Sequence, residues 1–159
     1  MPQSVYVETS VVSYLTARRG RDLIVAARQE ITREWWDGNR GEFDLFTSEV
    51  SIEEARRGDP TSAALRLAAL AAIPQVDVTP EAVALAAALV REGILPEVAA
   101  TDALHLAVAT LSRMQVLLTW NCRHLANASL IGPVAEFLRR QGHEPPLICT
   151  PEYLLGERS

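Results

Sequence analysis

Oxygen-bearing side chains follow two strand-like segments of this sequence. Glu8 ends the β-branched and aromatic run at residues 4–8, and Asn121 comes directly after the buried strand predicted at residues 116–119. In open parallel sheets, ligands bind beyond the carboxyl ends of the strands. We therefore expect Glu8 and Asn121 to meet if their strands are neighbours in the sheet. Asn121 is equally well explained as a turn residue that accepts a local hydrogen bond.

A third candidate, Asp102, lies on a helix that is apolar almost all round. The helix is predicted over residues 98–111, and the polar residues in and just beyond this range include Thr101, Asp102, His105 and Ser112. A carboxylate on such a helix must pair, take up a proton or bind a cation, because an isolated buried charge is too costly. Metal binding is one of these three options.

After the second predicted strand, a pair of acidic residues is followed by a pair of arginines. Glu53 and Glu54 lie on a short helix, and Arg56 and Arg57 occupy its next turn. Carboxylates bind hard divalent cations, and arginines bind phosphate oxygens. The spacing suits a phosphate held over a metal ion.

The histidines and cysteines have ordinary explanations. We interpret His105 and His124 as bonding a neighbour rather than acting as general bases, since histidines beside apolar helix faces usually do so. Cys122 has no identifiable orienting partner and is only two residues from His124, which argues against a thiol nucleophile. Cys122 and Cys149 match no metal or redox spacing, and we interpret both as packing residues.

The composition indicates one globular domain over residues 1–159, with 48% hydrophobic and 22% charged residues. The net charge of -5 argues against broad nonspecific nucleic-acid binding, so any such contact must be a local patch. All fifteen basic residues are arginine, which excludes P-loop phosphate binding and Schiff-base catalysis. The first four residues lead into a strand without a signal peptide, and no apolar run approaches ~20 residues. We expect a cytoplasmic protein with no membrane contact.

Strand and helix patterns alternate along the chain, which is typical of a parallel sheet covered on both faces. We predict an α/β fold, a three-layer α/β/α sandwich whose central, mostly parallel sheet has four to five strands. The strands are predicted at residues 4–8, 43–47, 76–78, 116–119 and 147–150, and the helices after residue 8 and at 22–37, 48–57, 61–72, 81–91, 98–111 and 134–140. We assign Trp35, Trp36 and Tyr14 to the core or to a dimer contact.

Over almost its whole length the chain resembles the PIN-domain family of metal-dependent ribonucleases, especially the VapC-type toxins. The family's opening segment, a strand followed by an acid, Thr and Ser, is similar to residues 5–12. Its second segment, a Ser with Glu six residues later, resembles residues 48–54 and favours Glu54 over Glu53. The third and most specific resembles residues 101–107, and the fourth, Thr-x-acid after a strand, resembles residues 118–121.

The resemblance implies a single catalytic metal centre. Its ligands would be Glu8, Glu54, Asp102 and Asn121, holding one or two Mg²⁺ or Mn²⁺ ions, with Thr9, Ser10 and Thr119 in support. Arg56, Arg57 and Arg123 would contact RNA phosphates. The implied function is endoribonucleolytic cleavage of RNA by the toxin of a type II toxin–antitoxin pair, homodimeric and neutralised by a small antitoxin.

Two positions depart from the family pattern, which has aspartate where this chain has Glu8 and Asn121. One ligand is therefore longer by a methylene and the other is neutral, leaving three negative charges in the cluster instead of four. The alternative is a catalytically impaired PIN domain that binds RNA or protein. An unrelated phosphatase or phospho-receiver domain is disfavoured, because those proteins use a lysine beside their carboxylates.

Overall fold

The central sheet has four parallel strands in the order β2-β1-β3-β4, as seen in a computed structural model that describes residues 2–156. The strands are β1 (Ser4–Val7), β2 (Asp44–Phe46), β3 (Val116–Leu118) and β4 (Leu147–Cys149). The central strand β1 pairs with β2 through Tyr6 and Phe46 and with β3 through Val7 and Leu118. Glu8 and Asn121 therefore follow neighbouring strands at the carboxyl end of the sheet.

Within residues 2–156 seven α-helices surround this sheet, and most begin at a capping residue. They are α1 (Thr9–Thr16), α2 (Leu23–Glu34), α3 (Glu49–Ala55), α4 (Pro60–Ala71), α5 (Pro80–Arg91), α6 (Ala100–Leu111) and α7 (Ala128–Arg140). Asp22, Asp59 and Thr79 each accept a hydrogen bond from a backbone N–H group of the first turn. Such caps satisfy donors that the helix itself leaves free. A proline at the start of α4 and of α5 loses no helical hydrogen bond there.

Alternate residues of the strands face two separate hydrophobic clusters. Tyr6, Leu117 and Ile148 pack in one cluster with residues of α5, α6 and α7. Val7 and Leu118 pack in the other, which includes residues from α1, α3 and α4. Since side chains alternate between the two faces of a strand, each face of the sheet carries its own helical layer. The predicted three-layer α/β/α sandwich is confirmed.

Two predicted elements differ from the structure. The strand prediction at residues 76–78 is wrong, because this segment forms no strand, and the pairing just before it is an isolated bridge between Thr47 and Gln75. The last helix begins at Ala128 rather than at residue 134. Pro133 lies inside it, where the missing N–H removes one backbone hydrogen bond without ending the helix.

Trp35, Trp36 and Cys149 are packing residues. Trp35 and Trp36 are buried in the cluster on the α1 side of the sheet, which confirms the core assignment. Their rings make an edge-to-face contact with centroids 6.2 Å apart. Cys122 and Cys149 are both free thiols, and Cys149 is buried.

Among the helices of residues 2–156, none has the length and apolar character needed to cross a membrane.

Candidate functional site

Glu8 is a buried carboxylate held at the junction of β1 and α1. Its side chain is the N-terminal cap of α1, with Oε2 accepting a hydrogen bond from the backbone N–H of Ser10 at 2.7 Å. Oε1 accepts a second hydrogen bond from the Thr119 hydroxyl, also at 2.7 Å. One partner belongs to α1 and the other to the loop after β3, so the two hydrogen bonds hold the carboxylate from two sides. Glu8 has little freedom to rotate.

The predicted supporting residues divide their contacts between two carboxylates. The Thr9 hydroxyl donates to Glu54 Oε1 at 2.7 Å rather than to Glu8. Ser10 contacts Glu8 through its backbone N–H. The Ser10 hydroxyl accepts a hydrogen bond from the backbone N–H of Trp120 at 2.8 Å. Thr119 donates to Glu8 and accepts from the Asn121 N–H at 2.9 Å. These bonds tie the start of α1 to the loop after β3.

Glu54 lies in the last turn of α3 and points toward Glu8, whereas Glu53 faces solvent. The Glu54 carboxylate hydrogen-bonds Nε2 of His105, a fully buried residue of α6. Glu53 instead forms an exposed ion pair with Arg56. The sequence prediction that chose Glu54 over Glu53 therefore agrees with where the two side chains point.

The pair formed by Glu54 and His105 is charged. Burial by itself lowers the pKa of His105, but the Tyr6 hydroxyl, the hydrogen bond to Glu54 and the nearby charges of Glu8 and Glu54 raise it to about 10. Burial by itself raises the pKa of Glu54, and the hydrogen bonds from His105 and Thr9, the positive charge of His105 and that of Arg57 outweigh it and lower that pKa. At neutral pH, a carboxylate faces an imidazolium here.

Asp102 and Asn121 each contact His124. The ring atom Nδ1 of His124 lies 3.2 Å from Asp102 Oδ2. The backbone N–H of His124 donates to Asn121 Oδ1 at 3.0 Å. The amide of Asn121 therefore forms the local turn that the sequence allowed. Asp102 is half-buried and paired, so it is not an isolated buried charge.

Only part of the predicted ligand set converges on one point. Ligand atoms of Glu8, Glu54 and His105 all lie within 4.8 Å of one another. Within residues 2–156, Asp102 is not a member of any such group of three or more acidic, histidine or cysteine side chains. Asp102 is on the same helix as His105, three residues before it, and so shares its face. The site has a close carboxylate pair, Glu8 and Glu54, with a third acid, Asp102, on the helix that carries His105.

His105 and His124, which the sequence does not predict to take part in chemistry, both lie inside the site. As expected for a histidine beside an apolar face, each bonds neighbours, but those neighbours are predicted ligands. The spacing of three between Asp102 and His105 on one helix was the available signal for His105. For His124 it was the short turn that begins at Asn121. Neither signal identifies the partner without the tertiary structure.

The predicted phosphate-contacting arginines are all on the surface. Arg56, Arg57 and Arg123 are exposed. Arg56 is shared between Glu49 and Glu53, and exposed pairs of this kind contribute little to stability. Arg57 is close enough to Glu54 to lower its pKa. Basic groups therefore border the carboxylate pair on the α3 side.

Solved structures with a similar fold include three chains of low sequence identity. A comparison with curated proteins finds no match. VapC20 of Mycobacterium tuberculosis, described as a sarcin-ricin loop cleaving toxin, has a TM-score of 0.52 and 22% identity, covering 71% of this chain and 86% of that one. VapBC2 of Rickettsia felis, bound to a promoter DNA fragment, has a TM-score of 0.53 and 12% identity, with coverages of 93% and 98%. FitAcB of Neisseria gonorrhoeae has a TM-score of 0.54 and 16% identity, with coverages of 92% and 97%.

A family comparison is decisive where these structures show only a shared fold. The sequence profile of the PIN domain matches residues 5–127. This range begins in β1, ends at the cap of α7 and contains Glu8, Glu54, Asp102 and Asn121. The chain belongs to the PIN-domain family.

Proposed function

We propose that this PIN domain is a metal-dependent endoribonuclease and the toxin of a type II toxin–antitoxin pair. The observation that carries the proposal is the convergence of the Glu8 and Glu54 carboxylates at the carboxyl end of a parallel sheet. The fold that the chain shares with VapC20, a sarcin-ricin loop cleaving toxin by its description, supports the choice of RNA. The small antitoxin and the homodimer are parts of the same proposal, drawn from the resemblance to VapC-type toxins.

The residues of the site fit a hard divalent cation. Mg²⁺ binds oxygens at roughly 2.0–2.1 Å and Ca²⁺ at roughly 2.3–2.6 Å, so two oxygens that share an ion lie at most about 4.2 Å apart for Mg²⁺ and about 5.2 Å apart for Ca²⁺. The ligand atoms of Glu8 and Glu54 lie within 4.8 Å of each other, so they meet the wider limit, and an approach of at most about 0.6 Å would bring them to the Mg²⁺ limit. Both ring nitrogens of His105 are already in hydrogen bonds, which makes it a support for Glu54 rather than a ligand. Glu8 and Glu54 would hold Mg²⁺ or Mn²⁺, with Asp102 and Asn121 beside them.

The chemistry follows from these positions. A bound Mg²⁺ or Mn²⁺ supplies an activated water and neutralises charge on the phosphate undergoing attack. Glu8, held from two sides by Ser10 and Thr119, presents a carboxylate with a fixed orientation. Arg57 on the α3 side and Arg123 after β3 would place phosphates of the RNA backbone across the cluster. Single-stranded or looped RNA suits such a site, since its bases and phosphates are accessible.

The experiment that tests the proposal is cleavage of a structured RNA by the purified chain with added Mn²⁺. We expect cleavage that EDTA abolishes and that Asp102→Ala reduces strongly. The Asp102→Ala protein, prepared in the same way, is the control for contaminating nucleases. Equal, EDTA-insensitive cleavage by both proteins would contradict the proposal.

One observation favours a second candidate, a PIN domain that binds RNA or a protein without cleaving. Both oxygens of Glu8 and the amide oxygen of Asn121 already accept hydrogen bonds from the protein. A site whose acceptors are satisfied internally has less need of a cation. This candidate predicts RNA binding in filter or anisotropy assays with no turnover stimulated by Mn²⁺.

Restoring the charge that Asn121 lacks should strengthen metal binding. Asn121→Asp keeps an oxygen acceptor for the His124 N–H and adds a negative charge beside Asp102. We expect Mn²⁺ affinity to rise several-fold in calorimetric titrations, because opposite charges at short range attract in a partly buried site. The matched control is Asn127→Asp, which adds the same charge at the N-terminal cap of α7 and keeps an oxygen that accepts from the Ser129 N–H. Equal affinity in the two variants would exclude residue 121 as a ligand position.

A further inference from the structure

A chain of buried hydrogen bonds runs behind Glu54, on the side away from solvent. The hydroxyl of Tyr6 lies 2.7 Å from Nδ1 of His105, whose Nε2 bonds Glu54. The same hydroxyl lies 2.6 Å from Oγ of Ser48. Tyr6, Ser48 and His105 are each fully buried. A hydroxyl both donates and accepts, so the chain is complete with either protonation state of His105.

These contacts tie both ends of α3 to one atom. Ser48 is the N-terminal cap of α3 and accepts from the Val50 N–H at 3.2 Å. Glu54 is in the last turn of the same seven-residue helix. The ring of hydrogen bonds therefore passes from the Tyr6 hydroxyl to Ser48, along α3 to Glu54, and back through His105. The N-terminal end of α3 bonds Tyr6 of β1 directly, and its last turn bonds Tyr6 through His105 of α6, so α3 cannot shift along the strand without breaking one of these hydrogen bonds.

Tyr6 is also placed to relate Glu54 to Glu8. Tyr6 and Glu8 are separated only by Val7 of β1, so the rigid backbone of a central strand links their positions. The Glu8 N–H continues the sheet by donating to the Leu118 carbonyl at 3.1 Å. We propose that Tyr6 is a positioning residue, which acts through Ser48 and His105 to set the separation of the Glu8 and Glu54 carboxylates for a cation.

The test compares wild type with Tyr6→Phe, and with Tyr14→Phe as a matched control. Tyr14 is a half-buried tyrosine whose hydroxyl lies 3.4 Å from Arg28, outside this chain of hydrogen bonds. We expect Tyr6→Phe to fold, to bind Mn²⁺ about tenfold more weakly and to lose about tenfold in kcat with KM unchanged, as residues supporting a metal ligand typically do. Tyr14→Phe should match wild type in all three. Wild-type Mn²⁺ affinity in Tyr6→Phe would overturn the inference.

The cleavage and Mn²⁺ measurements rest on the proposed function, so a positional measurement is needed as well. A crystal structure of Tyr6→Phe should show Glu54 displaced from Glu8 relative to the wild-type crystal. If wild type neither cleaves RNA nor binds Mn²⁺, the proposed function fails, and the position of Glu54 still decides the role of Tyr6. Glu54 in its wild-type place would overturn that role, whatever the activity.

Discussion

Glu54→Gln is expected to lower Mn²⁺-dependent RNA cleavage by about a hundredfold or more, whereas Glu53→Gln should cleave like wild type. The Glu54 carboxylate lies in the group whose ligand atoms are within 4.8 Å of one another, and Glu53 is exposed in an ion pair with Arg56. Glutamine keeps the length of the side chain but removes the charge that a cation and His105 both require. A cation that loses one of its two carboxylate ligands would shift in the site, and a misplacement of ~1 Å can cost about a hundredfold in rate.

The two variants form a matched pair because they change adjacent residues of one helix in the same way. Single-turnover cleavage of a structured RNA with saturating Mn²⁺ measures the effect on the chemical step. Circular dichroism at the assay temperature checks that both variants are folded. Equal cleavage by Glu54→Gln and Glu53→Gln would remove Glu54 from the catalytic site, and a loss confined to Glu53→Gln would reverse the assignment.

The layered fold could be predicted because its signals are local. Strand and helix patterns alternate along the sequence, and caps and prolines mark helix starts such as those at Asp59 and Thr79. The strand prediction at residues 76–78 failed because alternating valines favour a strand but do not supply a partner strand. The pairing next to this segment is a single bridge between Thr47 and Gln75. Strand order is likewise a property of the whole chain, and the contact of β1 with β3 joins residues more than a hundred positions apart.

The acidic residues of the site were predictable to a similar degree. Glu8 and Asn121 follow strands that proved to be neighbours, as their proposed meeting required. The sequence did not predict how the side chains would pair. Asn121 accepts a hydrogen bond from the His124 backbone, and Glu54 bonds a histidine fifty-one residues away. Such pairings depend on how helices pack on the sheet, and no local pattern contains that information.

The charged pair of His105 and Glu54 should make the stability of the metal-free protein depend on pH in two ranges. The pKa of His105 is raised from 6.5 to about 10 in the folded state, so its contribution is complete below pH 6.5 and is lost as the pH rises through about 10. The pKa of Glu54 is lowered from 4.5, so its contribution is present above pH 4.5 and is lost as the pH falls through the lower folded value. The pair therefore stabilises the fold most between these ranges, at about pH 4.5–6.5.

His105→Gln removes the titrating ring, and its free energy of unfolding should lack the decline above pH 6.5. We expect the difference between wild type and His105→Gln to shrink by a few kcal/mol between pH 6.5 and 9.5, since one proton contributes at most about 1.4 kcal/mol per pH unit. Urea unfolding in EDTA at several pH values measures this difference. His143→Gln controls for general effects of losing a histidine, because His143 lines a cavity beside Gln3 and Gln115, at the opposite edge of the sheet. A difference that stays constant with pH would mean that His105 is neutral in the folded protein and that Glu54 is held by an uncharged hydrogen bond.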